Sequence, residues 1–244
     1  MGEFFSSLWL QFLDSGLARQ FHNNVLRDSR YLLYWEGLKN TLLLTFGAAL
    51  LGTFIGTLIA MCKIAARGNR LLKPLDLLCD AYLTIIRGTP AMVQVMIFGF
   101  ILFKSLGMDK MLLVAILALG INSGAYVAEI VRAGIQAVDI GQTEAGRSLG
   151  LTPGMTMRHI VLPQAVKNIL PALANEAIVL LKETAIVSVL AVRDLTYSST
   201  LIRSRTYEPM PLIIITVIYL VLVVGMTSGL KRLERRLAKS DKRS

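Results

Sequence analysis

The chain has 244 residues, of which 54% are hydrophobic and 17% charged, against roughly 25% charged in ordinary soluble domains. A mean hydropathy of +0.59 argues against one large soluble core and for an integral membrane bundle. Two cysteines, Cys62 and Cys79, and two histidines, His22 and His159, are too sparse for a zinc site or a disulfide framework.

The first segment carries Phe5, Leu8, Trp9 and Phe12 on one helical face, which suits an interfacial helix in the outer leaflet. A helix packed on the bundle fits the same spacing. Glu3 stands where a secretory signal needs basic residues, so no signal peptide is expected. A helix crosses the hydrocarbon core with about 20 apolar residues. Uncharged runs near that length lie at 41–62, 111–128 and 209–230. Two further runs are interrupted, 81–103 by Arg87 and 168–192 by Glu176, Lys182 and Glu183. The sequence thus predicts an all-α integral membrane protein, a five-span helical bundle with uncertain ends on the fourth span. Gly52 and Gly56 on the first span permit close helix approach.

Lysine and arginine settle the expected orientation. Segments 63–87, 129–167 and 231–244 carry 16 of them, whereas 1–40, 104–110 and 193–208 carry 9. By the positive-inside rule the N-terminus lies outside and the C-terminus in the cytoplasm. Lys231, Arg232, Arg235 and Arg236 directly follow the last span and would meet anionic lipid headgroups. This placement explains much of the +10 net charge, and no nucleic-acid partner is needed. Three regions follow: an extracytoplasmic N-terminal region at 1–35, a transmembrane domain at 36–230 and a basic cytoplasmic tail at 231–244.

The 39-residue segment 129–167 is too long and too patterned for a simple connector. Residues 142–149 suit a short helix stopped at Gly150, and Thr152 with Pro153 suits the start of a second. Two short helices on the cytoplasmic face would form a protruding knob. Glu144, placed near the start of the first, suits either the helix dipole or a docking contact.

Within this segment, Glu144-Ala145-Gly146, three residues, Gly150, nine residues, Ile160, one residue and Leu162-Pro163 resemble the EAA loop of ABC-transporter permeases. Gly146 stands where that family usually has alanine. Further out, Arg87-Gly88-Thr89-Pro90 with Gln94, and Gly124-Ala125-Tyr126 with Ala128, Glu129, Arg132, Gly134 and Ile135, are similar to the polar amino-acid branch. So are Asn175 and Leu181-Lys182-Glu183-Thr184, followed by Ala185 in place of the usual serine. The chain resembles the permease subunit of an amino-acid ABC importer of the histidine/glutamine/arginine branch, from about residue 35 to the tail.

That resemblance implies an importer type I permease fold in a bacterial-type cell (inner) membrane. It implies three partners: an ABC ATPase subunit, an extracytoplasmic amino-acid-binding protein and a second permease copy, identical or similar. Glu144, Ala145, Gly146, Leu149 and Gly150 would dock the ATPase. Arg87, Thr89, Gln94, Tyr126, Glu129, Glu176, Lys182, Glu183 and Thr184 are the candidates for the substrate path or gate, because ionisable groups within spans usually serve a function. Arg87 also suits headgroup anchoring, and Lys182 with Glu183 also suits a span end or an inter-subunit pair. No catalytic residue, metal ligand or bound cofactor is expected on this chain. ATP and Mg would sit on the partner ATPase, because no G-x-x-x-x-G-K-[ST] occurs. The alternative is an ion-coupled secondary amino-acid transporter, which usually has more spans and internal repeats.

Overall fold

The computed structural model describes residues 16–66 and 69–241; the face formed by Phe5, Leu8, Trp9 and Phe12 lies outside them. The described residues are helical, with no strand among them. Helix α1 (Gly16–Phe21) leads to α2 (Tyr31–Ala66), then α3 (Lys73–Gly88), α4 (Ala91–Ile97) and α5 (Met111–Gln136). The 129–167 segment holds α6 (Ile140–Ser148) and α7 (Pro153–Thr156). Beyond it come α8 (Leu162–Glu183), a 3-10 extension at Thr184–Leu190, α9 (Leu195–Thr206) and α10 (Met210–Asp241).

Among the described residues three helices are long and apolar enough to cross a membrane: Tyr31–Ala66, Met108–Gln136 and Met210–Leu237. A fourth crossing arises if Arg70–Gly88 and Ala91–Leu102 count as one, although they meet at 107°. The interrupted run at 81–103 is therefore two helices with a sharp bend. Pro90 supplies the reason, since it has no N–H for the preceding turn. The run at 168–192 falls outside these spans. Its α-helix ends at Glu183 and tightens to 3-10 geometry.

Helix α5 is the hub. Two-thirds of its apolar window (67%) is buried within the chain, against 28% for α2 and 17% for α10, which leave broad apolar faces uncovered. Small residues bring α2 onto α5. A Cβ at Gly56 would lie 2.6 Å from both the Gly124 carbonyl oxygen and Val127 Cβ, and one at Gly52 would lie 3.0 Å from Ser123 Cβ. The Gly52/Gly56 pair thus serves a contact within this chain, as close backbone approach between apolar helices requires. Around this seam Leu44, Ala48, Leu119, Leu180 and Val187 are fully buried.

The bundle ends are polar. Beside the 129–167 segment, Lys63 on α2 reaches Asp76 at 2.9 Å and Asp80 at 2.6 Å on α3. At the opposite end the Asn40 side chain donates to the Arg193 carbonyl at 2.8 Å. There Asp194 is fully buried and caps α9, accepting from the Tyr197 N–H at 2.8 Å and the Thr196 N–H at 3.1 Å. Burial pushes its carboxyl up to about 6 against those two donors.

Candidate functional site

Two assemblies hold most of the candidate residues. The first is the knob at 139–163. Helix α6 begins two residues earlier than the spacing predicts, because Asp139 accepts from the Gly141 N–H at 2.7 Å and caps it. Glu144 therefore stands a full turn inside the helix and away from its dipole end. It is exposed and makes no ion pair among the described residues. Helix α6 ends with paired backbone bonds, Leu151 N–H to Gly146 O at 3.1 Å and Gly150 N–H to Arg147 O at 2.9 Å. This is a Schellman closure, and it requires the left-handed backbone that Gly150 adopts at φ +77°. Thr152 Oγ1 then accepts from the Met155 N–H and opens α7 at Pro153, as expected.

The loop residues divide by direction. Gly146 turns inward, where a Cβ would meet Thr156 Cγ2 at 2.7 Å and Ile160 Cδ1 at 3.1 Å. Its smallness closes the knob on itself. Ala145 and Gly150 are exposed, and Leu149 and Ile140 are 77% and 75% accessible. Two large aliphatic side chains held outward beside a free carboxylate form a surface suited to a protein partner.

The second assembly lies inside the bundle on four helices. Asn122 and Ser123 are consecutive buried polar residues on α5. The Asn122 amide donates to Gln94 Oε1 on α4 at 2.9 Å, and Ser123 Oγ donates to Glu176 Oε1 on α8 at 2.8 Å. Gln94 Nε2 reaches Ile86 O at 2.7 Å, Thr89 Oγ1 at 2.7 Å and Thr89 O at 3.1 Å, at the end of α3. Among the described residues no cation pairs with Glu176, which is half-buried. Glu183 follows two turns later on α8 and is also half-buried. Thr184 is buried and donates to Leu181 O at 2.7 Å, so it serves the helix end.

The remaining candidates gather elsewhere. Arg87 lies 3.7 Å from Glu129 and stacks over the Tyr126 ring at 5.9 Å. Glu129 also accepts from Arg132 Nε at 3.0 Å. These groups adjoin a 350 Å³ cavity lined by Lys63, Asp76, Asp80, Glu129 and Arg132. Glu129 is thus paired twice and is not simply solvated, and Arg87 stays near the 129–167 end of the bundle. Lys182 is exposed at the other end of α8. Asn122 and Ser123 escape the sequence reading, although adjacent polar residues in an otherwise apolar span are a usable signal.

With this geometry in place, the comparisons with known proteins are specific. Residues 52–239 match the family described as "Binding-protein-dependent transport system inner membrane component". The "Arginine transport system permease protein ArtQ" of Bacillus subtilis is 41% identical over 208 residues, covering 84% of this chain and 93% of that protein. The "Putative glutamine transport system permease protein GlnP" of Rickettsia bellii is 38% identical over 210 residues, covering 85% and 94%. A crystal structure of an amino acid ABC transporter with histidines superposes with a TM-score of 0.78 at 46% identity, covering 84% and 94%. An inward-facing MetNI methionine ABC transporter, at 22% identity and a TM-score of 0.72, shares the fold.

The chain belongs to the family of inner-membrane components of binding-protein-dependent transport systems. It is a permease subunit of an ABC amino-acid importer, a transport component and not an enzyme. Membership implies an ATPase and a binding protein as partners. The ion-coupled alternative finds no support among its relatives.

Proposed function

We propose that the chain carries a polar amino acid with a basic side chain, and that its two assemblies divide the work. Glu176, with Ser123 and Asn122, lines the cargo path. The observation that carries this reading is a half-buried carboxylate inside the bundle, held by a serine hydroxyl and unpaired with any described cation. Such a group would be costly unless a cationic ligand uses it. Arginine and histidine fit: one relative is named an arginine transport permease, and the superposed transporter structure is described as being with histidines. Gln94 and Thr89 border the path at the α3–α4 bend, and Glu183 extends the carboxylate face of α8. Arg87, Tyr126 and Glu129 form a gate beside the cavity. Lys182 marks the end of α8.

In this reading α8 is a fifth crossing, with its charges turned from lipid, and the knob lies in the cytoplasm. Glu144, Ala145, Leu149 and Gly150 meet the ATPase, which holds ATP and Mg, while Gly146 keeps the knob compact. A second permease copy covers part of the uncovered apolar surface and lipid covers the rest. The region 1–35 lies outside the membrane domain at 36–230, and the basic tail at 231–244 meets headgroups. For ATP to drive transport, it must bind the inward- and outward-facing states with different affinity.

Uptake of labelled arginine and glutamine into proteoliposomes, with the ATPase and binding protein present, tests the reading. Glu176→Gln is expected to raise the KM for arginine about tenfold or more, the usual range for losing a charged hydrogen-bond partner. An unchanged KM sinks the assignment of Glu176. ATP-independent uptake that follows an ion gradient sinks the importer mechanism.

A further inference from the structure

Helix α3 ends where it does because Pro90 has no N–H to offer Ile86 O. Inside a membrane that orphaned carbonyl needs another donor. Gln94 Nε2 supplies it at 2.7 Å and shares itself with both oxygens of Thr89. Thr89 Oγ1 in turn donates to Ile85 O at 2.8 Å. One buried amide thus replaces the bond that proline removed and joins both arms of a 107° bend. Its other end is not idle: Gln94 Oε1 accepts from Asn122, the neighbour of the serine that holds Glu176. A Cβ at Gly88 would meet no atom within 4 Å, so packing does not lock the bend on that side.

We infer that Gln94 is a positioning residue, a hinge bond that makes the angle between α3 and α4 depend on what Asn122 is bonded to. The inference rests on the reading that Asn122, Ser123 and Glu176 line the cargo path. A cargo group that competes for the Asn122 amide loosens Gln94 Oε1, and the same side chain then changes its hold on Ile86 and Thr89. No covalent step is involved. The bend is a two-state element whose balance the path can bias, as coupling between separated sites demands.

Arginine uptake with the full complex in proteoliposomes tests it, using Gln94→Leu and the double variant Pro90→Ala with Gln94→Leu. Gln94→Leu is expected to lower maximal uptake about tenfold, the upper range for coupling residues, with KM changed less than about twofold. The double variant restores a backbone donor for Ile86 O, so it is expected to insert and assemble normally while uptake stays low. Its uptake returning to within about twofold of the wild type would make Gln94 a mere cap and overturn the proposal. A KM that rises in step with the loss of rate overturns it too, because Gln94 would then contact cargo directly. Unimpaired uptake by Gln94→Leu does the same. If Gln94→Leu fails to insert, the double variant alone decides. Glu176→Gln in parallel separates the two readings: no change in its KM defeats the cargo path, and the double variant still decides the hinge.

Discussion

The knob at 139–163 and the polar cluster inside the bundle are built on opposite terms. In the knob, consecutive segments supply everything: Asp139 and Thr152 cap the helices, Gly150 turns the chain, and Gly146 admits Thr156. In the cluster, Gln94, Asn122, Ser123 and Glu176 come from three helices, and α5, which carries two of them, is seated closely against the glycines of α2. Damage to the knob's outer surface should therefore cost function while sparing the fold. Damage around the cluster should cost both.

The largest effect expected of the outer surface comes from Glu144→Lys. It reverses a charge on an exposed side chain with no ion pair among the described residues, so insertion and thermal stability should change little, within about 0.5 kcal/mol. Uptake should fall more than about tenfold, because like charges facing across an interface cost several kcal/mol. Wild-type uptake in this variant would show that Glu144 takes no part in docking. Gly56→Val makes the contrasting case. Its side chain would start 2.6 Å from the Gly124 carbonyl, and overpacking of this kind costs about 1–3 kcal/mol. Folded yield in detergent should drop together with uptake; a well-folded Gly56→Val protein would mean that the α2–α5 seam can spread.

How much was legible in advance follows the same division. The Glu144-to-Pro163 spacing and the Gly150 stop can be read from the chain because each rests on neighbours a few residues away. Only the start of α6 departs from that spacing, because Asp139 caps the helix two residues earlier. Glu176 stood out as a charge within an apolar run. Asn122 and Ser123 are legible only as a polar pair in an apolar span; their partners lie 28 and 53 residues away, and no local pattern points to them. The 107° bend was half visible: Pro90 announces a break, but its angle depends on Gln94 and the packing of α4.

Caps sharpen the contrast at a smaller scale. Asp139 caps α6 in water, whereas Asp194 caps α9 from full burial. Folding raises the Asp194 carboxyl to about 6 from an unfolded value near 3.9. The folded state therefore holds its proton more tightly. The stability this gives is complete below about pH 4 and is lost as pH rises through about 6. Asp194→Asn keeps an oxygen to accept from Tyr197 or Thr196 and removes the buried charge. At pH 7.5 it should be more stable than the wild type by about 2 kcal/mol, and the gap should close toward pH 4.5. Thermal unfolding in detergent at both pH values checks this, and a gap that widens on acidification would refute the sign.

The smallest expected effect falls on Gly150, where the local and the functional readings of the knob separate. A Cβ there meets nothing within 4 Å, so Gly150→Ala introduces no clash. Its whole cost is the left-handed backbone at φ +77°, about 1 kcal/mol. Hydrogen exchange of the α6 amides should quicken about fivefold, matching that loss, while exchange in α5 and α8 stays unchanged. If uptake falls no more than local stability does, Gly150 acts only by ending α6 and aiming Leu149 outward. A much larger loss of uptake at the same exchange rate would show that the bare Gly150 surface itself seats against the ATPase, where even a methyl group is too much.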